Sequence, residues 1–452
     1  MLFCPPLDYL SYEVGLTRSS IQGEEWKRLR KRFNPGFAPQ HLSTYIPAIL
    51  DKGAIFLDCL DARADSQETF PLMMLTTQLT FDVIGKVVLD TELEAQLEDR
   101  NRRCEIIHVY EDLLNEYSNE GATIPLWFKP FRMRRRAVLA RRLHALLQDI
   151  VRQKHADLYG NGGVGGEAVR TVLSLSLQDA RTLTPEILAE TADQLQSFLF
   201  AGHDTTSSVL SWVFYELSRT PHALEAVRAE LDGLFGPDPA SPAGIRKCLL
   251  EHKDLLRNMP YIDAVIKETL RLYPPAGTMR YIPPGSGFNL CLPNGDQFCA
   301  DGLQTYICHS LVHRDRKVYG DSGDEFLPER WLGENAEVPA GSWRPFERGP
   351  RNCIGQDLAF MEARVIIAMA ARRYDFVKVG LGEVVLDAET GRPSLDPAKH
   401  EKQYKVVEEV YPVSFVGLRL CSFGLRADDR QTQNVTKKPV DGMLVKVRMA
   451  SA

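Results

Sequence analysis

The sequence has no Cys-x-x-Cys pair, no excess of positive charge, and no apolar run approaching the roughly twenty residues of a membrane-spanning helix. Nine cysteines with no such pairing suggest neither a disulfide framework nor a zinc ribbon, and fit a reduced, cytosol-facing setting. Fifty-four basic against sixty acidic residues, a formal net charge of -6, argue against a general affinity for nucleic acid. The opening "MLFCPPLDYLSYEVGLTRSS" lacks the charged start and apolar middle of a signal peptide. What is present is ordinary globular material, 44% hydrophobic and 25% charged, with ample apolar content for a core. The length allows two or three domains or one large fold.

The first third reads as helices. "GEEWKRLRKRF" has acidic residues first and basic residues later, as a helix dipole prefers, and "FPLMMLTTQLTFDVIGKVV" reads as an apolar helix or helix pair. From Trp127 to Arg142 aromatics alternate with arginines, a pattern that suits a solvated helix face or a membrane-surface contact. Gly160, Gly162 and Gly165 match Gly-x-Gly-x-x-Gly, but they follow a helical pattern and not a strand. The match therefore predicts a loop, and a dinucleotide-dependent dehydrogenase is the weaker alternative.

Thr184-Pro185 and Thr220-Pro221 are helix-start signals that bracket one unusually long helix. Its apolar ends flank "AGHDTT", residues 201–206, where polar groups cost free energy in a buried helix unless they are paired. A glycine there admits another group close to the backbone, and Asp204 and Thr205 bring an acid and a hydroxyl to one spot. Glu268 and Arg271, three apart on a helix stopped by Pro274 and Pro275, share a face. Residues 278–308 read as short hairpins.

One cysteine stands apart. In "PFERGPRNCIGQDLAFMEARVIIAMA", Cys353 lies between Gly349 and Gly355, with Phe346 upstream as a packing wall and a helix starting just after. Glycines permit close backbone approach, and a helix N-terminus favours a thiolate. A cysteine thiolate can hold haem iron and favour O–O cleavage.

This stretch closely resembles the haem-binding loop of the cytochrome P-450 superfamily, Phe-x-x-Gly-x-Arg-x-Cys-x-Gly, and matches it at Phe346, Gly349, Arg351, Cys353 and Gly355. Further motifs of the family follow in its order: Trp26 and Arg30 as Trp-x-x-x-Arg, "AGHDTT" as the oxygen-activation motif, Glu268 to Arg271 as Glu-x-x-Arg, and "FLPERW" with Arg330. The resemblance spans about residues 23–413, with a closing strand at 439–447, and is of the fungal microsomal type. It implies one mainly α domain with small β-sheets over 1–452. Haem b would be bound through Cys353 as axial ligand, with Trp26, Arg30, Arg351 and Arg280 at the propionates and Phe346 beside the loop. Asp204 and Thr205 would serve proton delivery, and Glu268, Arg271 and Arg330 a structural triad.

The implied activity is a monooxygenase that inserts one oxygen atom into an apolar small molecule, in fungal secondary metabolism. Electrons would come from NADPH through a reductase, with cytochrome b5 as a second donor. The protein would be a monomer on the cytosolic face of the endoplasmic reticulum. Against the family pattern, the segment preceding the Trp-x-x-x-Arg helix is short and residues 414–434 read as an insertion. A truncated, inactive relic is thus the rival expectation, one that would express poorly or hold haem weakly.

Overall fold

The computed structural model describes residues 23–118, 130–160, 170–236, 242–333, 338–339, 341–387, 393–394, 402–405, 412–413, 438–439 and 441–450. Trp127, Phe128, Gly162, Gly165 and the 414–434 stretch lie outside them. The fold is mainly helical with small sheets, as expected. Its principal helices include α1 (Gly23–Phe33), α2 (Ile46–Ser66), α3 (Leu72–Ile84), α4 (Glu105–Ser118), α5 (Pro130–Tyr159), α6 (Pro185–Arg219), α7 (Pro260–Leu272) and α8 (Gln356–Ala370). Strands β1 (Phe70–Pro71), β6 (Tyr374–Lys378) and β9 (Leu444–Met449) form a sheet of order β1-β9-β6. Strands β2 (Thr278–Tyr281) and β5 (Gln304–Ile307), β3 (Asn289–Cys291) and β4 (Gln297–Cys299), and β7 (Pro412–Val413) and β8 (Lys438–Pro439) make three two-stranded pairs. Every strand pair among the described residues is antiparallel, so no βαβ unit supports a dinucleotide-binding reading.

Helix α6 is the axis of the molecule. The Thr184 hydroxyl accepts from the Ile187 N–H at 3.3 Å, and Pro185 occupies the first turn. The helix ends where Thr220-Pro221 opens the next one. Both ends are buried through Leu195, Leu199, Leu210, Trp212 and Val213. The Trp212 ring stacks on Tyr273 at 4.0 Å, and Phe214 on Phe376 at 4.4 Å. Gly202 lies where α3 crosses, and a Cβ there would sit 2.5 Å from Ile84 Cδ1. The close crossing therefore favours the smallest residue.

Against the expectation that no apolar run approaches a spanning length, Leu72–Leu89 would by length and composition suffice to cross a membrane, but 78% of it is buried in the protein. Its apolar surface is thereby used in the core. On α5, Arg132 and Arg135 pair with Glu116 and Arg142 with Glu105, while Arg136 is buried. Much of that arginine run is thus neutralised by α4, although Phe131 is 87% exposed.

A buried polar framework joins α7 to the loops that follow it. Arg271 donates to both Glu268 oxygens at 2.8 and 2.7 Å, and to the carbonyls of His313 (2.9 Å), Gly323 (2.5 Å) and Glu325 (2.7 Å). Glu268 also accepts from the Leu327 N–H at 3.0 Å, Trp331 Nε1 at 2.9 Å and Arg330 Nε at 3.5 Å. His313 donates from Nδ1 to the Arg271 carbonyl (3.3 Å) and accepts at Nε2 from the Arg344 N–H (3.0 Å). Both ring nitrogens are used, which fixes a neutral imidazole. Burial foremost, then His309, lowers its pKa to about 3.

Two outcomes follow from this framework. Glu268→Ala leaves a buried guanidinium uncompensated and is expected to cost about 3–5 kcal/mol in denaturant unfolding; a loss below about 1 kcal/mol would contradict the framework's importance. For His313, the folded chain binds fewer protons than the unfolded one between the ordinary imidazole pKa of about 6.5 and the depressed value. Its contribution is therefore complete above that range and lost as pH falls. Unfolding free energy should drop by roughly 2–3 kcal/mol from this group between about pH 6.5 and 4.5, and His313→Asn should flatten that part of the slope. An unchanged slope in the variant would refute the assignment.

Candidate active site

A cavity of about 280 Å³ lies between α6 and the loop that precedes α8. Ala201, Thr205, Thr206 and Val209 form one wall, Ile266 and Leu270 of α7 close its side, and Phe346, Arg351 and Cys353 face them. Two shallower depressions of about 500 Å³ flank it, one over Trp26 and Arg30 and one between Arg30, Asn352 and Cys353. The first is an open surface beside α1. The most enclosed of the three brings a thiol and a hydroxyl into one lining, and so it is where chemistry can occur.

The Cys353 loop is built by its backbone. The Cys353 N–H donates to the Phe346 carbonyl at 2.8 Å and the Asn352 N–H to that of Gly349 at 3.0 Å. Gly349 has φ +81°, a left-handed turn that glycine adopts without steric cost. Phe346 packs against Phe360 of α8 with ring centroids 5.7 Å apart. Cys353 is exposed on the cavity wall yet crowded by the protein around it. Burial pushes its thiol pKa up, while the Gly355 N–H and the Arg30 charge pull it down.

Arg30 grips this loop from α1, donating to the Asn352 carbonyl at 2.9 Å and to Asn352 Oδ1 at 3.2 Å. The Arg351 guanidinium lies over the Trp26 ring, 4.6 Å from its centroid, a cation–π contact. Burial lowers the pKa of Arg351, and the like charge of Arg280 on β2 lowers it further. Arg280 is itself exposed. Trp26 and Arg30 of α1 thus touch the loop directly, and Arg280 of β2 is near enough to Arg351 for their charges to interact.

On the opposite wall the two residues of the "AGHDTT" segment part company. Thr205 lines the cavity, with its hydroxyl donating to the Ala201 carbonyl at 2.7 Å. Asp204 is buried and does not line the cavity; its carboxylate pairs with Lys438 of β8. Beside it, His203 stacks on Phe81 at 3.8 Å and donates from Nδ1 to the Leu199 carbonyl at 2.7 Å. Its buried Nε2 has no hydrogen-bond partner, and burial lowers its pKa to about 4. Acid and hydroxyl are therefore neighbours in sequence that face different surroundings.

Sequence reasoning missed three groups. Lys438 comes from the far end of the chain, and no local signal linked it to Asp204. His309 and Glu347 line the cavity as a hydrogen-bonded pair at 3.0 Å. The one legible hint was the acid placed between Phe346 and Gly349.

Comparisons with known proteins point to one family. The sequence model of the family described as Cytochrome P450 matches residues 14–404. The chain is 34% identical over 370 residues to cytochrome P450 monooxygenase polC of Polytolypa hystricis, an alignment covering 79% of this chain and 64% of that one. It is 31% identical over 382 residues to cytochrome P450 monooxygenase acrF of Aspergillus aculeatus, covering 78% and 72%. The crystal structure of the cytochrome P450DA heme domain superposes with a TM-score of 0.72 at 18% identity, over 99% of this chain and 83% of that one. That likeness speaks for the fold alone. The fungal relatives, the family match over most of the chain and the Cys353 loop facing Thr205 lead to one conclusion: this chain belongs to the cytochrome P450 family.

Proposed function

We propose that the chain is a haem-thiolate monooxygenase that inserts one oxygen atom from O₂ into an apolar small molecule of fungal secondary metabolism. The observation that carries the reading is the pairing across one cavity of Cys353, in a glycine-turned loop, with the Thr205 hydroxyl. The residues fit haem on three physical grounds. A thiol reaches the cavity wall; the Arg351 guanidinium lies near it and feels the like charge of Arg280, a setting that suits carboxylates; and the Trp26 ring packs against that guanidinium.

Cys353 would hold the iron, and Arg30, Arg280, Arg351 and Trp26 the propionates, with Phe346 shielding the sulfur. Haem so ligated supplies dioxygen cleavage and the oxidising power. The chain's own part is to orient, exclude water and time protons. The Ala201, Val209, Ile266 and Leu270 walls favour an apolar substrate and exclude water. Thr205 can pass a proton at its Oγ1, and Asp204, tied to Lys438 on the side away from the cavity, can resupply it from solvent.

Electrons would come from NADPH through a partner reductase, with cytochrome b5 as a second donor. The family resemblance supports a monomer on the cytosolic face of the endoplasmic reticulum.

The haem-loaded protein, reduced and treated with carbon monoxide, is expected to give a thiolate-type Soret band that Cys353→Ser abolishes; persistence of that band in the variant would overturn the ligand assignment. Thr205→Ala should keep the haem spectrum but divert electrons from product to peroxide. Asp204→Asn should slow turnover by about 10²-fold or more. Normal coupling and turnover in both variants would contradict the proton-delivery role.

A further inference from the structure

Glu347 has a backbone conformation that its residue type rarely adopts. Its φ is +59°, in the left-handed region that suits glycine. Its side chain explains the choice. One carboxylate oxygen accepts from Arg344 Nη2 at 2.5 Å and from the Arg348 N–H at 3.3 Å, and the other faces His309 Nε2 at 3.0 Å. The Thr278 hydroxyl of β2 is a further partner.

His309 is 2% exposed, and its Nδ1 donates to the Ala276 carbonyl at 3.0 Å. With Nδ1 committed as a donor, the contact between Nε2 and the carboxylate must hold a second proton. The pair therefore makes a charge-assisted bond, either as imidazolium and carboxylate or as imidazole and carboxyl.

The geometry of the peptide unit gives this anchor its leverage. Phe346 C=O and Glu347 N–H belong to one rigid plane. That N–H donates to the Arg344 carbonyl at 3.0 Å, and that C=O accepts from the Cys353 N–H at 2.8 Å. With the Glu347 side chain gripped on both oxygens, the plane cannot turn about its own N–Cα bond without breaking several contacts. The carbonyl stays aimed at the Cys353 amide.

The grip extends outward as well. His309 stacks on His313 with ring centroids 5.6 Å apart, and the Arg344 N–H is held by His313. The cysteine loop is thereby coupled to the Glu268–Arg271 framework.

We propose that Glu347 and His309 are positioning residues that clasp the Cys353 loop, fixing the peptide plane that holds the cysteine amide and so the direction of the sulfur into the cavity. The proposal rests on the reading of Cys353 as the iron ligand and adds to it the device that keeps the ligand in place. Neither residue needs to touch substrate.

The test uses the haem-loaded protein and four variants: Glu347→Ala, Glu347→Gln, His309→Phe and Cys353→Ser. After reduction and carbon monoxide addition, the thiolate-type band of Glu347→Ala and of His309→Phe should decay to the thiol-type band about tenfold faster than in the parent, the scale of one lost buried hydrogen bond. Glu347→Gln, which keeps an acceptor for Arg344, should recover part of the lifetime.

Hydrogen exchange by mass spectrometry on the same proteins separates the clasp from general destabilisation. Amides of residues 345–355 should exchange about tenfold faster in Glu347→Ala, while those of α7 remain as in the parent. Equal acceleration in both segments, or no acceleration in either, would overturn the clasp. A thiolate-type band surviving in Cys353→Ser would remove the ligand reading on its own, and the exchange rates of the loop would still decide whether the clasp exists.

Discussion

The bidentate pair between Glu268 and Arg271 is the constraint on which the rest of the structure depends. Both side chains are fully buried, and two such charges in a low-dielectric interior are stable only when their remaining donors and acceptors are satisfied. Here the satisfaction is supplied by other segments. Three backbone carbonyls end on Arg271, and Leu327, Arg330 and Trp331 end on Glu268. The loops between β5 and α8 thus converge on α7, although they contain little regular secondary structure. His313 carries the order one step further, from the Arg271 carbonyl to the Arg344 backbone at the threshold of the cysteine loop.

Charge is distributed unevenly around the cavity as a consequence. On the cysteine side, Arg30 holds the loop and Arg351 lies over Trp26 within reach of the Arg280 charge, a setting that favours an anionic ligand group. On the α6 side, the acid is withdrawn from the cavity and held by Lys438, leaving the hydroxyls of Thr205 and Thr206 in the cavity lining. Between them Val209, Ile266, Leu270 and Ala363 supply apolar wall, interrupted by the His309–Glu347 pair. Such separation would let the proposed proton path and anion site serve one cavity without neutralising each other.

Much of this was legible in the sequence where its cause is local. The bounds of α6 follow from Thr184-Pro185 and Thr220-Pro221 because caps act within one turn. The cysteine loop was legible because its glycines, phenylalanine and cysteine are contiguous and answer to one backbone geometry. The Glu268–Arg271 pair was visible as two residues on one helix face. What escaped was whatever tertiary packing decides. Asp204 and Thr205 look like one functional unit as text, but the 100° turn between successive helix residues sends one into the protein and the other to the cavity. Lys438 reaches Asp204 only because β8 passes that face of α6. The His309–Glu347 pair likewise joins separate loops, and an apolar run such as Leu72–Leu89 cannot by its composition reveal that it is buried.

The central claim is that the cysteine loop presents the Cys353 sulfur to haem iron across from Thr205. X-ray absorption at the iron edge of the haem-loaded protein tests it most directly, because the first shell distinguishes sulfur from nitrogen and oxygen. A sulfur scatterer in the parent protein that is absent from Cys353→Ser is the predicted result. A first shell of nitrogen and oxygen alone in the parent, or a sulfur that survives the substitution, would contradict the account.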